Sequence, residues 1–276
     1  MNWFNRKAGK RMRQRLQAEL PVFYPSSGNY WLYPHLTYSA ANNLPKQLLR
    51  LVTAQAVHSV NSSDLAGDGD NRLKELFQAY GSDKGTHGYT PVYNFVFRSL
   101  GRPDFTLLEI GLGTNDPVAI STMGAAGRPG ASLRAFRDYM PKAAIYGADI
   151  DRNILFSEQG IRTGWVDQTD PTTFDGLVSQ LGCASFDLIV DDGLHSSEAN
   201  LNTIDFWRRS SSQGGWVVIE DIPERTFDVW RVVAGLLGQS GHDCWLIKAS
   251  DCFMFAARHA GQDHSTPRVL TQNPAV

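Results

Sequence analysis

Between residues 105 and 256 the chain alternates short apolar runs with longer amphipathic stretches, and this alternation restricts its architecture more than any other feature. The runs are Phe105–Ile110, Ala144–Ala148, Gly164–Val166, Phe186–Val190 and Trp216–Ile219; between them lie helix candidates such as Ser132–Tyr139 and Ser196–Arg209. Strands separated by helices form βαβ units, whose right-handed crossovers build a doubly wound, mostly parallel sheet. The end of the pattern differs. Cys244–Lys248 and Cys252–Ala256 are joined by the short turn Ala249-Ser250-Asp251 and read as an antiparallel β-hairpin. The expected fold class is α/β, with residues 71–260 as its domain and 261–276 as a C-terminal tail.

Residues 1–70 read as an N-terminal extension, mostly helical or irregular. Phe4, Ala8, Met12, Leu16 and Leu20 recur every fourth position opposite Arg6, Lys7, Lys10, Arg11, Arg13 and Arg15. That pattern suits a solvated basic helix, with weak contact to an anionic surface or a partner as the alternative. Pro21, Pro25, Pro34 and Pro45 break the segment that follows, one helix is expected near 44–58, and the tract 62–71 reads as a linker. The chain as a whole carries a net charge of −2, which argues against a generally basic nucleic-acid binder. No run approaches the roughly 18 apolar residues of a membrane span. Three cysteines without CxxC spacing argue against a cysteine zinc site and suit a reducing, cytoplasmic setting.

The first strand runs into Glu109-Ile110-Gly111-Leu112-Gly113, a two-glycine turn at the carboxyl edge of the sheet, where open α/β folds bind ligands. A dinucleotide fingerprint wants a third glycine where Asp116 stands, and a helix at once to face a pyrophosphate. Instead a Gly/Pro-rich excursion, Thr114–Gly130, intervenes. With Glu109 just before the glycines, the turn leans towards a nucleoside carrying a cationic amino-acid tail. Asp149 closes the second strand and can accept both ribose hydroxyls; Asp151 is the alternative there, or else a helix N-cap. Asp167 closes the third strand, within reach of an adenine amino group.

The fourth strand runs into Asp191-Asp192-Gly193-Leu194-His195 and the fifth into Glu220-Asp221. Carboxylates crowded at one rim repel unless a cation compensates, and hard oxygen ligands select Mg²⁺ or Ca²⁺. Asp192, Glu220 and Asp221 are the expected ligands, with His195 as general base. Asp191 reads as a structural hydrogen-bonder below the rim. The loop Tyr80–Tyr89, with Lys84, His87 and Tyr89, is glycine-rich and polar; it is expected to fold over the cofactor or the metal, Lys84 and Tyr89 as cofactor contacts, with a plain surface loop as the alternative. His242 and His259 have no partner that the sequence identifies.

In order, YGSDKGTHGY, LLEIGLG, PGASLRAF, IYGADID, VDQTDP, FDLIVDDGLH and GGWVVIEDI resemble the class I S-adenosylmethionine-dependent methyltransferases, and more narrowly the metal-dependent sugar O-methyltransferases of macrolide biosynthesis, of the macrocin and mycinamicin type. The likeness covers about residues 75–258. It implies a seven-stranded sheet whose last strand is antiparallel, with S-adenosylmethionine and Mg²⁺ as cofactors. It implies Glu109, Gly111 and Gly113 around the methionine part of the cofactor, Asp149 on its ribose, and Asp167 with Gln168 near its adenine. Asp192, Glu220 and Asp221 would hold the metal and His195 the proton. The implied partner is a hydroxylated small-molecule acceptor on a sugar, polyketide or glycolipid, and related enzymes suggest a homo-oligomer. The alternatives are a nicotinamide-dependent oxidoreductase on the same topology and a catalytically silent cofactor-binding protein.

Overall fold

The computed structural model describes residues 44–50, 52, 57–67, 71–119, 121–250 and 252–259. The expected basic helix at 1–20 and the tail at 261–276 lie outside these. The chain divides into two compact units, Met1–Thr53 and Ala54–Val276. Of the first, residues 44–48 form a short helical stretch. The helix expected to continue to residue 58 does not: Val57–Asn61 is a strand, β1.

The second unit is one nine-stranded sheet flanked by helices. Its other strands are β2 (Thr106–Ile110), β3 (Ala144–Asp149), β4 (Ser157–Glu158), β5 (Ile161–Trp165), β6 (Phe186–Asp191), β7 (Ser211–Ile222), β8 (Asp243–Lys248) and β9 (Phe253–Arg258). The helices are α1 (Arg72–Tyr80), α2 (Thr90–Leu100), α3 (Ala131–Tyr139), α4 (Thr173–Leu181), α5 (Ser197–Ser210) and α6 (Phe227–Gln239). The strand order is β1-β8-β9-β7-β6-β2-β3-β5-β4. Every predicted apolar run coincides with a strand to within a few residues, and β8 and β9 form the predicted hairpin, with β9 antiparallel to both β7 and β8. The inner seven strands thus have the arrangement of the class I methyltransferase fold.

Nine strands replace the expected seven because the sheet extends at both edges. The two-residue β4 folds back antiparallel on β5. At the other edge β1 lies parallel to β8, which also carries the sheet upstream of the boundary expected at residue 71. An edge strand is held by its backbone ladder and does not need an apolar pattern; β1 buries none of its residues fully, so periodicity gave no warning of it.

Side-chain alternation along the central strands divides the interior into two cores. Leu107, Leu188, Val190, Trp216 and Val218 pack beneath α1, α2 and α3. Leu108, Ile189, Val217 and Ile219 pack against α4, α5 and α6 on the opposite face. Both faces being covered, these strands read as unbroken apolar runs. From β2 the chain winds outward first through β3 and β5 and later through β6 and β7, so the topological switch point lies between β2 and β6, whose carboxyl ends frame a crevice.

Away from that crevice, His242 and His259 acquire the partners the sequence did not reveal. Their rings lie 4.9 Å apart by centroid, and both pack on Trp207, at 5.2 and 5.6 Å. Burial, with His259 and Arg208 nearby and only Asp243 opposing, pushes the His242 pKa down to about 4. The unfolded chain therefore takes up this proton first as pH falls. The associated stability is complete above roughly pH 6.5 and lost on the way down to about 4. Allowing for solvent screening of a half-buried ring, the loss should be on the order of 1 kcal/mol. Thermal melts of His242→Gln and the parent across that window should converge towards low pH; parallel curves would count against this assignment.

Candidate active site

Three segments meet at the crevice. The first is the glycine turn after β2. Gly111 has φ 96° and Gly113 φ 80°, both in the left-handed region. A Cβ on Gly111 would lie 2.1 Å from the Asp192 carbonyl oxygen, so this turn packs directly against the loop after β6. Backbone pairing reinforces the contact, because the Asp192 N–H donates to the Ile110 carbonyl at 2.8 Å. The Thr114–Gly130 excursion folds back over the turn. Met123 N–H donates to the Thr114 carbonyl, and the Met123 thioether covers Gly113. Among the described residues no helix begins between the turn and Ala131, where a pyrophosphate would use a helix N-terminus.

The loop after β6 brings Asp192 and His195 into the crevice, ahead of Ser196, which caps α5 by accepting from the Ala199 N–H. His195 has φ 55°, costly for a residue with a Cβ. The loop is secured from below. Asp191 is fully buried and accepts from Gln168 Nε2 at 2.8 Å and Asn200 Nδ2 at 3.0 Å, the structural role expected of it. Gln168 Oε1 accepts from the Leu194 N–H at 2.9 Å, and its Nε2 also donates to Thr203.

Glu220 and Asp221 close β7 at an irregularity: the register with β9 shifts between Ile219 and Ile222, and Asp221 takes φ 52°. In a regular strand, successive side chains point to opposite faces; a bulge re-aims them. Asp221 Oδ2 thereby comes to 3.9 Å from His195 Nε2, which is also 3.9 Å from Asp192 Oδ1. Asp192, His195 and Asp221 offer ligand atoms all within 4.8 Å of one another. Two oxygens each about 2.1 Å from one Mg²⁺ stand at most about 4.2 Å apart, so the Asp192 and Asp221 carboxylates fit a single hard cation after a small adjustment.

Glu220, expected as the third ligand, hydrogen-bonds within the protein. Both its oxygens are taken, one by the Lys84 ammonium and one by the Tyr93 hydroxyl. Lys84 comes from the Tyr80–Tyr89 loop, where α1 ends at Gly81 and the chain turns inward through Asp83–Gly85. Its Nζ also reaches Asp192 Oδ2 at 2.5 Å and Glu109 Oε1 at 3.2 Å. The Lys84 side chain is 2% exposed, and those of Glu109 and Glu220 are fully buried. Burial works against the ammonium, but Asp192, Glu220 and Glu109 together hold its pKa well above the ordinary lysine value. One ammonium cannot neutralise three carboxylates, and burial pushes Glu109 up. At the outer side, Tyr89 donates to Asp221 Oδ1. Burial opposes ionisation of Asp221, yet Tyr89 and His195 keep its pKa below the usual carboxylate value.

The remaining expected residues are locally tethered. Asp149 accepts from the Leu112 N–H at 2.7 Å and the Asp151 N–H at 2.8 Å, and burial raises its pKa. Asp151 caps the turn Arg152–Ile154 through the Asn153 N–H and also accepts from Thr114. Asp167 accepts from Thr169. Tyr93 and Ser132, which donates to Glu109, were not anticipated. A signal for Tyr93 existed: it stands four residues after Tyr89 at the start of α2, and residues at that spacing share a helix face.

Among the described residues, His195 Nδ1 is buried without a hydrogen-bond partner. Unmet polar valence beside a glycine cradle suits a polar ligand, and the thioether over Gly113 is the movable end of a flexible side chain.

No family model matches the chain. It is 30% identical over 197 residues to mycinamicin VI 2''-O-methyltransferase of Micromonospora griseorubida, covering 69% of this chain and 45% of that protein. It is 33% identical over 151 residues to 8-demethyl-8-alpha-L-rhamnosyl tetracenomycin-C 2'-O-methyltransferase of Streptomyces olivaceus, covering 54% and 37%. A solved methyltransferase of the mycinamicin pathway, in complex with Mg and SAH, shares 30% identity at a TM-score of 0.46, covering 56% of this chain and 38% of that one. The chain spans less than half the length of these relatives.

Proposed function

We propose that this chain is an S-adenosylmethionine-dependent, Mg²⁺-assisted O-methyltransferase whose acceptor is a hydroxyl of a sugar or a glycosylated small molecule. The observation that carries this reading is the convergence of Asp192, His195 and Asp221 beside the glycine turn at the switch point. Its sequence relatives methylate hydroxyls of sugar-bearing natural products, which narrows the acceptor class.

When bound, the divalent ion would orient a substrate hydroxyl and lower its pKa, and the sulfonium cofactor would supply the methyl group. The protein's own contribution is placement and proton transfer. Asp192 Oδ1 and Asp221 Oδ2 are the oxygens free to hold the ion, since Asp192 Oδ2 is spent on Lys84 and Asp221 Oδ1 on Tyr89. His195 Nε2, between them, is the atom placed to accept the hydroxyl proton. The gain comes from aligning acceptor and methyl donor and from concentrated charge where an alkoxide forms. Asp149, held by the Leu112 and Asp151 N–H groups, would face the cofactor's ribose, and the Gly111–Gly113 backbone would border its amino-acid part.

Calorimetric titration with S-adenosylhomocysteine should show binding, and titration with NADH none. Methyl transfer from S-adenosylmethionine to a panel of glycosides should require Mg²⁺ and stop in EDTA. Absence of S-adenosylhomocysteine binding would remove the cofactor assignment. Transfer indifferent to chelation would return the carboxylates to a structural role.

A further inference from the structure

The geometry points to Met123 as a positioning residue for the cofactor: the Thr114–Gly130 excursion seats its thioether on Gly113, and that contact steadies the turn bordering the cofactor's amino-acid part. The inference rests on the reading of the crevice as an S-adenosylmethionine site, and gives a duty to a segment that the proposed reaction leaves without one. The excursion is braced among its own residues. Asn115 Nδ2 donates to the Gly124 carbonyl at 2.5 Å and to the Gly127 carbonyl at 3.0 Å, so one amide ties two points of the segment together. Thr122 Oγ1 donates to the Thr114 carbonyl at 3.2 Å and accepts from the Gly124 N–H at 3.1 Å, on either side of Met123. At the far end, the Gly130 N–H donates to the Leu112 carbonyl at 2.8 Å, fastening the excursion to the turn itself. Met123 thus hangs from a braced framework, and only its side-chain end is free to adjust.

That side chain lies between two glycines. A Cβ on Gly113 would stand 2.2 Å from Met123 Cε and 2.3 Å from its Sδ, and one on Gly127 would stand 2.4 Å from Met123 Cβ. Gly113 also needs its glycine for a φ of 80°, but Gly127 has no left-handed φ. What the missing side chain at 127 provides is room, which Met123 and the Asn115 amide occupy. Met123 is 42% exposed, so it does not fill the core, and its removal should act on the turn more than on the fold. Glycines in the left-handed region leave a backbone more freedom than residues with a Cβ. A turn that moves must be ordered when its ligand binds, at a cost in affinity, and a thioether packed on Gly113 restricts that motion beforehand.

The test is calorimetric titration of the full chain with S-adenosylhomocysteine and with 5′-methylthioadenosine, which keeps the adenosyl thioether but lacks the amino-acid tail. Met123→Ala should weaken S-adenosylhomocysteine by roughly tenfold and 5′-methylthioadenosine by less than about twofold. Met123→Leu, close in volume, should stay within about threefold of the parent for both. Gly127→Ala, pressing on Met123 from its other side, should reproduce the Met123→Ala pattern. A purely structural contribution would weaken both ligands together, and that result overturns the proposal. So does a Met123→Ala protein that binds S-adenosylhomocysteine within about threefold of the parent, or more tightly than it. Should Met123→Ala fail to fold, Gly127→Ala decides by the same split between ligands. If the parent takes no 5′-methylthioadenosine, rescue by Met123→Leu of the affinity lost in Met123→Ala decides instead. A parent that binds no S-adenosylhomocysteine refutes the cofactor reading and this inference with it, whereas a parent that binds it and an insensitive Met123→Ala refute the inference alone.

Discussion

Replacing His195 with asparagine should lower methyl transfer by roughly 10²–10⁴-fold, the usual contribution of a positioned general base, with S-adenosylhomocysteine affinity nearly unchanged. Asparagine is the informative substitution because the backbone here has φ 55°, which asparagine tolerates better than alanine. The loop after β6 then keeps its path, held by Asp191, Gln168 and Asn200, and only the imidazole is lost. His195→Ala should be at least as inactive and somewhat less stable. Both variants should still bind Mn²⁺, since Asp192 Oδ1 and Asp221 Oδ2 remain. A His195→Asn enzyme turning over within threefold of the parent would strip the imidazole of its assigned role.

The second large effect is structural. Gly111→Ala would place a methyl group 2.1 Å from the Asp192 carbonyl oxygen and 2.8 Å from the Gly193 Cα, at a φ of 96°. Neither neighbour can move aside, because both are backbone of a loop pinned to the sheet. A cost of about 4 kcal/mol or more is expected, which for a domain of this size lowers Tm by roughly 8–16 °C. Cofactor binding should be lost with it. Gly113→Ala provides the contrast: the three atoms nearest its Cβ all belong to the flexible Met123 side chain, which can swing away, leaving mainly the left-handed backbone penalty of about 1–2 kcal/mol. Melts of the two variants side by side decide the matter. Equal stability would mean that the turn does not press on the Asp192 loop.

Much of this site was legible because its parts are contiguous with strand ends. An apolar run followed at once by an acid announces a carboxylate at the rim, as with Val190-Asp191-Asp192 and Ile219-Glu220-Asp221. The three-residue spacing from Asp192 to His195 kept both in one loop. What remained hidden was the division of labour. The carboxylate crowding that called for a cation is answered partly by Lys84, 108 residues from Asp192 and 136 from Glu220 in the chain. Gln168, expected near an adenine, also secures the loop that carries His195.

The sequence by itself determined the order of the inner seven strands and the rim where acids gather, because hydrophobic periodicity and turn chemistry are local properties. Only the tertiary structure decided which oxygen serves which partner. Side-chain alternation would send Glu220 and Asp221 to opposite faces, and the register shift against β9 re-aims them. A lysine becomes a buried ammonium only where distant carboxylates offset the loss of water. Both effects depend on neighbours brought together by folding, and adjacency along the chain carries no trace of them.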